Sequence, residues 1–228
     1  RGIQCQDCHM RRRPGIPLVN QQIKMTNELA PDHSVTGGHA VVRLQDAATV
    51  RVSARCKGKT IEVQAWVENV GAGHKIPSGA PTRRVVLDVS LLTPAGANVK
   101  SQDRVYEKTL EDRQGNPVTT VTDSFLKAAR VVSDTRLEPE ETRQESFTFD
   151  TPKEHGGTMI VHAVLSYKFE TAMGTMDVTM SEATRILKLP GGFWRSELGS
   201  TLRFSLWVLL VAGAIRLLYV RLRQRETV

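Results

Sequence analysis

Two cysteines and a histidine near the start of the sequence have the spacing of a covalent cofactor site. Cys5, Cys8 and His9 form a Cys-x-x-Cys-His motif, which is the attachment site of a c-type haem. Two thiols three positions apart can each add across one of the two vinyl groups of the haem. The histidine that follows then lies beneath the ring with its imidazole directed at the iron. The sequence therefore predicts one covalently attached haem c, with His9 as the proximal axial ligand.

Two other kinds of site also use a Cys-x-x-Cys pair. A structural zinc site needs two more ligands of fitting spacing, and Cys56 is the only other cysteine. A thioredoxin-like redox pair needs a strand followed by a helix, whereas Arg11–Arg13 and then Pro14-Gly15 follow this motif. Haem attachment is therefore the favoured interpretation, and Cys56 is interpreted as a small apolar thiol near a strand end.

Three further histidines are candidates for the distal axial ligand. His33 and His39 lie on either side of Gly37-Gly38, and glycines allow a backbone to approach a flat macrocycle closely. His74 lies in a loop rich in glycine and proline that follows a well-patterned strand, and such loops often carry functional residues. An ordinary surface histidine is the competing interpretation for each of the three.

The elements that must position these residues are mainly strands. Residues 1–44 have few periodic apolar positions and are predicted to be a haem c binding segment. Apolar and polar residues alternate in Thr49–Ala54 and Thr60–Glu68, with Lys57-Gly58-Lys59 between them, which predicts a β-hairpin. The residues from Asp123 to Val132 are ambiguous and include one possible short helix. Further alternating runs predict strands at Arg84–Leu92, Val99–Lys108, Arg143–Phe149, Met159–Glu170 and Thr175–Lys188.

About seven strands separated by turn signals predict an antiparallel Ig-like β-sandwich over residues 45–189. We interpret residues 190–203 as a linker, 204–220 as a transmembrane helix and 221–228 as a cytoplasmic tail. The predicted fold class is thus mainly β, with a short haem-binding segment, the sandwich and one C-terminal transmembrane helix.

The apolar run Phe204–Val220 carries the membrane prediction. Its 17 residues extend about 25 Å as a helix at roughly 1.5 Å each, close to the roughly 30 Å of a bilayer core. Arginines lie at positions 216, 221, 223 and 225, so the positive-inside rule assigns that end to the cytoplasm. This topology predicts a single-pass protein of the cytoplasmic (inner) membrane, in contact with the lipid bilayer, with haem and β domain in the periplasm.

The charge distribution does not fit a nucleic-acid-binding protein. The net charge is +7 and aromatic residues make up 5% of the chain, and no basic patch is interleaved with aromatics. We therefore expect no nucleic-acid partner.

Haem is attached outside the bacterial cytoplasmic membrane, so we expect either a signal peptide removed just before the motif or a longer parent chain.

Three segments together resemble a known group of proteins. Cys5–Met10, Asp32–Gly38 and Val67–Gly79 resemble the C-terminal region of bacterial multihaem c-type cytochromes related to the cytochrome c554 group. In that group the last haem motifs precede an Asp-His-x-Phe-x-Gly-Gly loop and an all-β domain carrying Asn-x-Gly-Ala-Gly-His-x-x-Pro-Thr-Gly. The resemblance covers roughly residues 1–190. Here Val35 replaces the common Phe and Ser78 the Thr.

The resemblance implies a bis-histidine, low-spin haem used in electron transfer, with His33 and His74 as the matching axial ligands. His39 stands where Asn is common in the group, which makes it an extra candidate. One attachment motif with three spare histidines implies that His33 or His74 serves a haem upstream of Arg1 or on a partner chain.

The leading functional hypothesis is a membrane-anchored periplasmic cytochrome c subunit that passes electrons within a larger redox complex. Its expected partners are other cytochromes or membrane redox subunits, such as a quinol-oxidising or reaction-centre complex. The first alternative is a fragment or subunit of a multihaem oxidoreductase acting on nitrogen or sulfur compounds, in which one iron keeps an open position. The second is an assembly subunit with a mainly structural role.

Overall fold

The computed structural model describes residues 2–13, 30–152, 157–171 and 174–189. Three short helices occur there: α1 (Cys5–His9), α2 (Val41–Ala47) and α3 (Val121–Leu126). The strands are β1 (Arg12–Arg13), β2 (Ala30–Pro31), β3 (Ala48–Lys57), β4 (Thr60–Asn69), β5 (Arg83–Leu92), β6 (Asn98–Tyr106), β7 (Lys108–Glu111), β8 (Pro117–Val118), β9 (Arg130–Asp134), β10 (Thr142–Asp150), β11 (Thr158–Thr171) and β12 (Gly174–Lys188).

The predicted hairpin is confirmed as the pair β3–β4. Its register matches Lys57 with Thr60 and continues to Ala48 opposite Asn69. Gly58 occupies the turn with a φ of 61°, a conformation that glycine adopts without the steric cost a Cβ would bring. The alternation of β4 buries Ile61, Val63, Ala65 and Val67 fully, because successive side chains of a strand point to opposite faces.

Two antiparallel sheets enclose the core. Their strand orders are β10-β4-β3 and β12-β11-β5-β6. At one side β3 meets β12, where the Val50 amide donates to Ser181 Oγ over 3.1 Å. At the other side Gln102 of β6 donates to the carbonyl of Thr148 in β10 over 2.8 Å. The second sheet contributes alternate residues to the core, among them Val85, Leu87, Val89, Leu91, Met159, Val161, Ala163 and Leu165.

Smaller elements flank this core. α2 packs on β12 and β3 and buries Leu44, so the chain enters the core just before β3. A separate sheet of order β8-β7-β9 lies between β6 and β10 in sequence, together with α3. This part resolves the ambiguous run from Asp123 to Val132 into the end of a helix and the start of a strand.

The fold class predicted from the sequence is wrong as stated. Among the residues just described, no helix is long and apolar enough to cross a bilayer, and the chain is mainly antiparallel β sheet with few helices. The predicted transmembrane helix at 204–220, the linker at 190–203 and the tail at 221–228 lie outside the described residues. The apolar run at 204–220 is not by itself evidence of a helix in this fold. The boundary predicted at residue 44 stays a prediction.

Candidate haem site

Helix α1 carries the three residues of the attachment motif. The Gln4 amide donates to Asp7 Oδ2 over 2.8 Å, and the Met10 amide donates to the Gln6 carbonyl over 2.8 Å, so both ends of this single turn are capped. Positions three apart share one face of a helix, which puts Cys5 and Cys8 on the same side. Cys5 is exposed and Cys8 half-buried, and both thiols are free.

The hydrogen bond of His9 fixes which ring nitrogen is left for a metal. Nδ1 of His9 lies 2.6 Å from the carbonyl oxygen of Thr36. A carbonyl can only accept, so the proton resides on Nδ1 and the lone pair on Nε2. Metal-binding histidines commonly donate their other N–H to a backbone carbonyl in this way, which orients the ring.

His74 has the same arrangement. Its Nδ1 lies 3.0 Å from the carbonyl oxygen of Lys75, so Nε2 again carries the lone pair. The rings of His9 and His74 have centres 6.3 Å apart and planes within 8° of parallel. Two imidazoles bound to one metal from opposite sides, at about 2.0 Å per bond, have ring centres roughly 6 Å apart. The pair therefore has the separation expected for two axial ligands of one iron.

The other two candidate histidines have different surroundings. His33 is exposed in a turn in which the Ser34 amide donates to Asp32 Oδ1 over 2.9 Å. His39 is also exposed, and its ring meets the edge of Phe169 at 5.7 Å. The structure thus brings His74 to His9, and it puts His39 beside β11.

Asn69 shapes the loop that carries His74. This fully buried residue ends β4. Its Nδ2 donates to the carbonyls of His74 and Glu138, each over 3.0 Å, and its Oδ1 accepts from the Ala72 amide over 3.1 Å. One amide side chain therefore ties the turn before His74 to the connection that precedes β10. In the sequence, Asn69 enters only as a member of the Asn-x-Gly-Ala-Gly-His motif. An Asn at the end of an apolar strand, followed two positions later by Gly71, Ala72 and Gly73, is a usable signal for this role.

A second set of contacts holds the same loop from the outside. Lys75 Nζ lies 3.2 Å from Asp134 Oδ2 and 2.7 Å from Glu138 Oε1. Arg136 binds both oxygens of Asp134, each at 2.7 Å. These bonds hold the pKa of Asp134 well below its usual range, and the side-chain hydrogen bond from Arg136 has the largest effect. The side chain of Lys75 thus fastens the residue next to His74 to the end of β9.

We expect Asp134→Asn to lower the free energy of unfolding at neutral pH by at most about 1 kcal/mol, since ion pairs that face solvent contribute little. Because the pKa of Asp134 is lowered on folding, its contribution is complete above the unfolded pKa of about 3.9 and is lost as pH falls below it. Urea unfolding at several pH values should show wild type and variant converging in acid. Asp150→Asn, at an 83% exposed carboxylate, is the control, and a difference that grows in acid would contradict the assignment.

Gly71 is a glycine of this loop at which a Cβ would collide with the backbone of another segment. A Cβ at Gly71 would clash with the backbone carbonyl oxygen of Asp46 and lie 2.9 Å from the carbonyl carbon of that residue. A Cβ at Gly73 would meet nothing within 4 Å. We expect Gly71→Ala to cost about 1–2 kcal/mol of stability through overpacking. Gly73→Ala should cost under about 1 kcal/mol. Urea unfolding of both variants checks this, and equal losses would refute it.

The surroundings of His9 combine apolar and cationic side chains. A cavity of about 320 Å³ opens beside His9, at the lower end of small-molecule sites. Val41 and Val42 line it and are 49% and 63% exposed. Arg11 and Arg43 line the same cavity. With the free cysteines and the two Nε2 atoms, these residues fit a c-type haem.

Comparison with solved structures gives one informative similarity. The chain is similar to the crystal structure of a penta-heme cytochrome c552 from Thermochromatium tepidum, with a TM-score of 0.62 and 23% identity. The two proteins share a fold. The match covers 83% of this chain and 48% of that one, so the chain spans about half the length of its structural relative.

Two other similarities are too distant to carry an argument. A CARDB domain from Pyrococcus furiosus matches with a TM-score of 0.33 and 14% identity, over 62% of this chain and 90% of that one. A putative beta-galactosidase from Bacteroides fragilis matches with a TM-score of 0.32 and 13% identity, over 63% and 18%. No protein-family model and no curated protein matches the sequence.

Proposed function

We propose that this chain is a c-type cytochrome module that carries electrons, with Cys5 and Cys8 attaching the haem and His9 and His74 as its axial ligands. The observation that carries the proposal is the parallel pair of imidazoles 6.3 Å apart, each with Nδ1 engaged by a backbone carbonyl. The fold shared with a penta-heme cytochrome supports it.

Two histidine ligands favour a carrier over an enzyme. When bound, the haem supplies an iron that exchanges one electron between its ferric and ferrous states. The chain's own task is then to hold both imidazoles at fixed distance and orientation. Thr36 and the Lys75 carbonyl orient the rings, and Asn69 and Lys75 secure the loop behind His74. With both axial positions taken, no position stays open for a substrate.

The proposed module belongs to a larger redox protein or complex. The chain's match to about half of a five-haem protein supports this, as does the exposed His33, which is available to a haem outside this chain. Attachment of haem takes place outside the bacterial cytoplasmic membrane, so we infer a periplasmic location. Other haem-carrying subunits are the expected donors and acceptors of electrons.

The test is to produce the full chain with a cytochrome c maturation system and count haem per chain by mass and by the pyridine haemochrome spectrum. We expect one haem c and a purely low-spin EPR signal that cyanide leaves unchanged. Cys5→Ala with Cys8→Ala should abolish covalent attachment, and Cys56→Ala is the matched control.

Two results would overturn the proposal. Wild-type protein without covalent haem would remove its basis. A high-spin signal that shifts on adding cyanide or nitrite would mean an open iron, and the oxidoreductase alternative would then replace the carrier.

A further inference from the structure

A buried cluster at the start of β5 has hydrogen-bond donors without acceptors. Arg83 Nε and Tyr167 Oη are both inaccessible to solvent and have no hydrogen-bond partner. Tyr167 is only 3% exposed, and burial raises the pKa of its phenol, so the hydroxyl stays protonated and able to donate. Unsatisfied buried donors of this kind are costly and call for an acceptor.

Two glycines let the backbones of two loops approach this cluster closely. A Cβ on Gly38 would be 2.8 Å from Tyr167 Oη and 3.3 Å from Arg83 Nη1, and a Cβ on Gly79 would be 2.8 Å from Arg83 Nη1. The guanidinium therefore lies between the backbones of two loops. Gly38 belongs to the loop whose Thr36 orients His9, and Gly79 belongs to the loop of His74.

The charge of Arg83 is not balanced by a protein carboxylate among the described residues. Its guanidinium lies 4.8 Å from the ring centre of Phe169 and donates to the Ser78 carbonyl over 3.3 Å. The neighbouring charges are paired with each other, Arg84 with Glu170 at 3.2 Å and Lys168 with Asp177 at 3.0 Å. A half-buried cation without a counter-ion favours a carboxylate from elsewhere.

We propose that Arg83 and Tyr167 together bind a propionate carboxylate of the haem, an inference that rests on the proposed function. A planar guanidinium and a phenolic O–H match the oxygens of a carboxylate. Because Arg83 lies between the two loops and donates to the Ser78 carbonyl, it also links the loop behind His9 to the loop of His74. It is a positioning residue for both axial ligands as well as the counter-ion of the cofactor.

The test uses haem-loaded full chain and compares Arg83→Leu with Arg84→Leu, which removes the same charge one position away at a site already paired with Glu170. Removing a cation in contact with the cofactor favours the ferric state, so the reduction potential should fall clearly more in Arg83→Leu. The haem propionate band in the resonance Raman spectrum should shift in Arg83→Leu and in Tyr167→Phe, but not in Arg84→Leu.

Each alternative result has a definite meaning. Equal reduction potentials in the two arginine variants would overturn the proposal. An unmoved propionate band would also overturn it. If the potential of Arg83→Leu falls although the band is unmoved, the carboxylate bound by Arg83 comes from another source. If Arg83→Leu does not take up haem, Tyr167→Phe decides, since it removes one hydroxyl and keeps the ring. Wild-type protein without haem would overturn the proposed function itself, whereas haem-loaded wild type with unmoved bands overturns only this site.

Discussion

Replacing His74 with alanine is expected to convert most of the low-spin haem in the full chain to a high-spin form. The ring of His74 is parallel to that of His9 at the separation of two axial ligands, with its Nε2 free. Removal of that imidazole opens one face of the iron, and a vacant or water-bound position gives a weaker ligand field. The optical and EPR spectra of the oxidised protein measure the conversion.

Two matched variants make this experiment specific. His33→Ala and His39→Ala each remove an exposed imidazole, and both should keep the low-spin spectrum. Added imidazole should restore the low-spin signal in His74→Ala by occupying the opened position. A low-spin spectrum in His74→Ala, or conversion in the His33 or His39 variant instead, would assign the distal ligand to another residue.

Replacing Asn69 with leucine is expected to destabilise the folded protein by about 2–4 kcal/mol. Leucine is similar in size but offers no hydrogen bond, so the Ala72 amide and the carbonyls of His74 and Glu138 would lose their partner. A buried polar group left unsatisfied costs about 1–3 kcal/mol; because these bonds are only part-buried, each of the three freed groups is expected to cost about 1 kcal/mol. The expected loss in free energy of unfolding exceeds that of a substitution on the protein surface, because the single side chain of Asn69 satisfies several backbone groups at once. Urea unfolding measures this loss.

Asn98→Leu is the control for this substitution. Asn98 is exposed at the start of β6, and its replacement should change the free energy of unfolding by about 0.5 kcal/mol or less. Asn69→Leu should also weaken the low-spin signal, because the loop of His74 loses its internal support. Equal stability of the two variants would show that the bonds of Asn69 contribute nothing net.

The sequence predicts well those parts of this fold that depend on neighbouring residues. The period of two locates β4 and β5 to within a residue, since alternation follows directly from strand geometry. It does not predict that β10 pairs with β4, because pairing between distant strands depends on the whole core. A short helix such as α3 followed by a fully exposed β9 has too little pattern to be predicted with defined ends.

The candidate site divides in the same way. Cys5, Cys8 and His9 lie within five consecutive positions, so their spacing alone predicts covalent haem attachment. The choice among His33, His39 and His74 requires a contact between α1 and a loop more than sixty positions away, which no local pattern contains. The transmembrane prediction rests on hydropathy alone, and residues 204–220 lie outside the residues that the structure describes.

The distance in sequence between the two imidazoles has a consequence for stability. Under the proposed function, coordination of one iron by His9 and His74 acts as a cross-link that closes a loop of about 65 residues. By the chain-entropy relation for cross-links, such a closure restricts the unfolded chain by about 4 kcal/mol. The redox cofactor would then cross-link helix α1 to the β-sheet core. The thermal stability of the protein would depend on whether His74 stays bound to the iron.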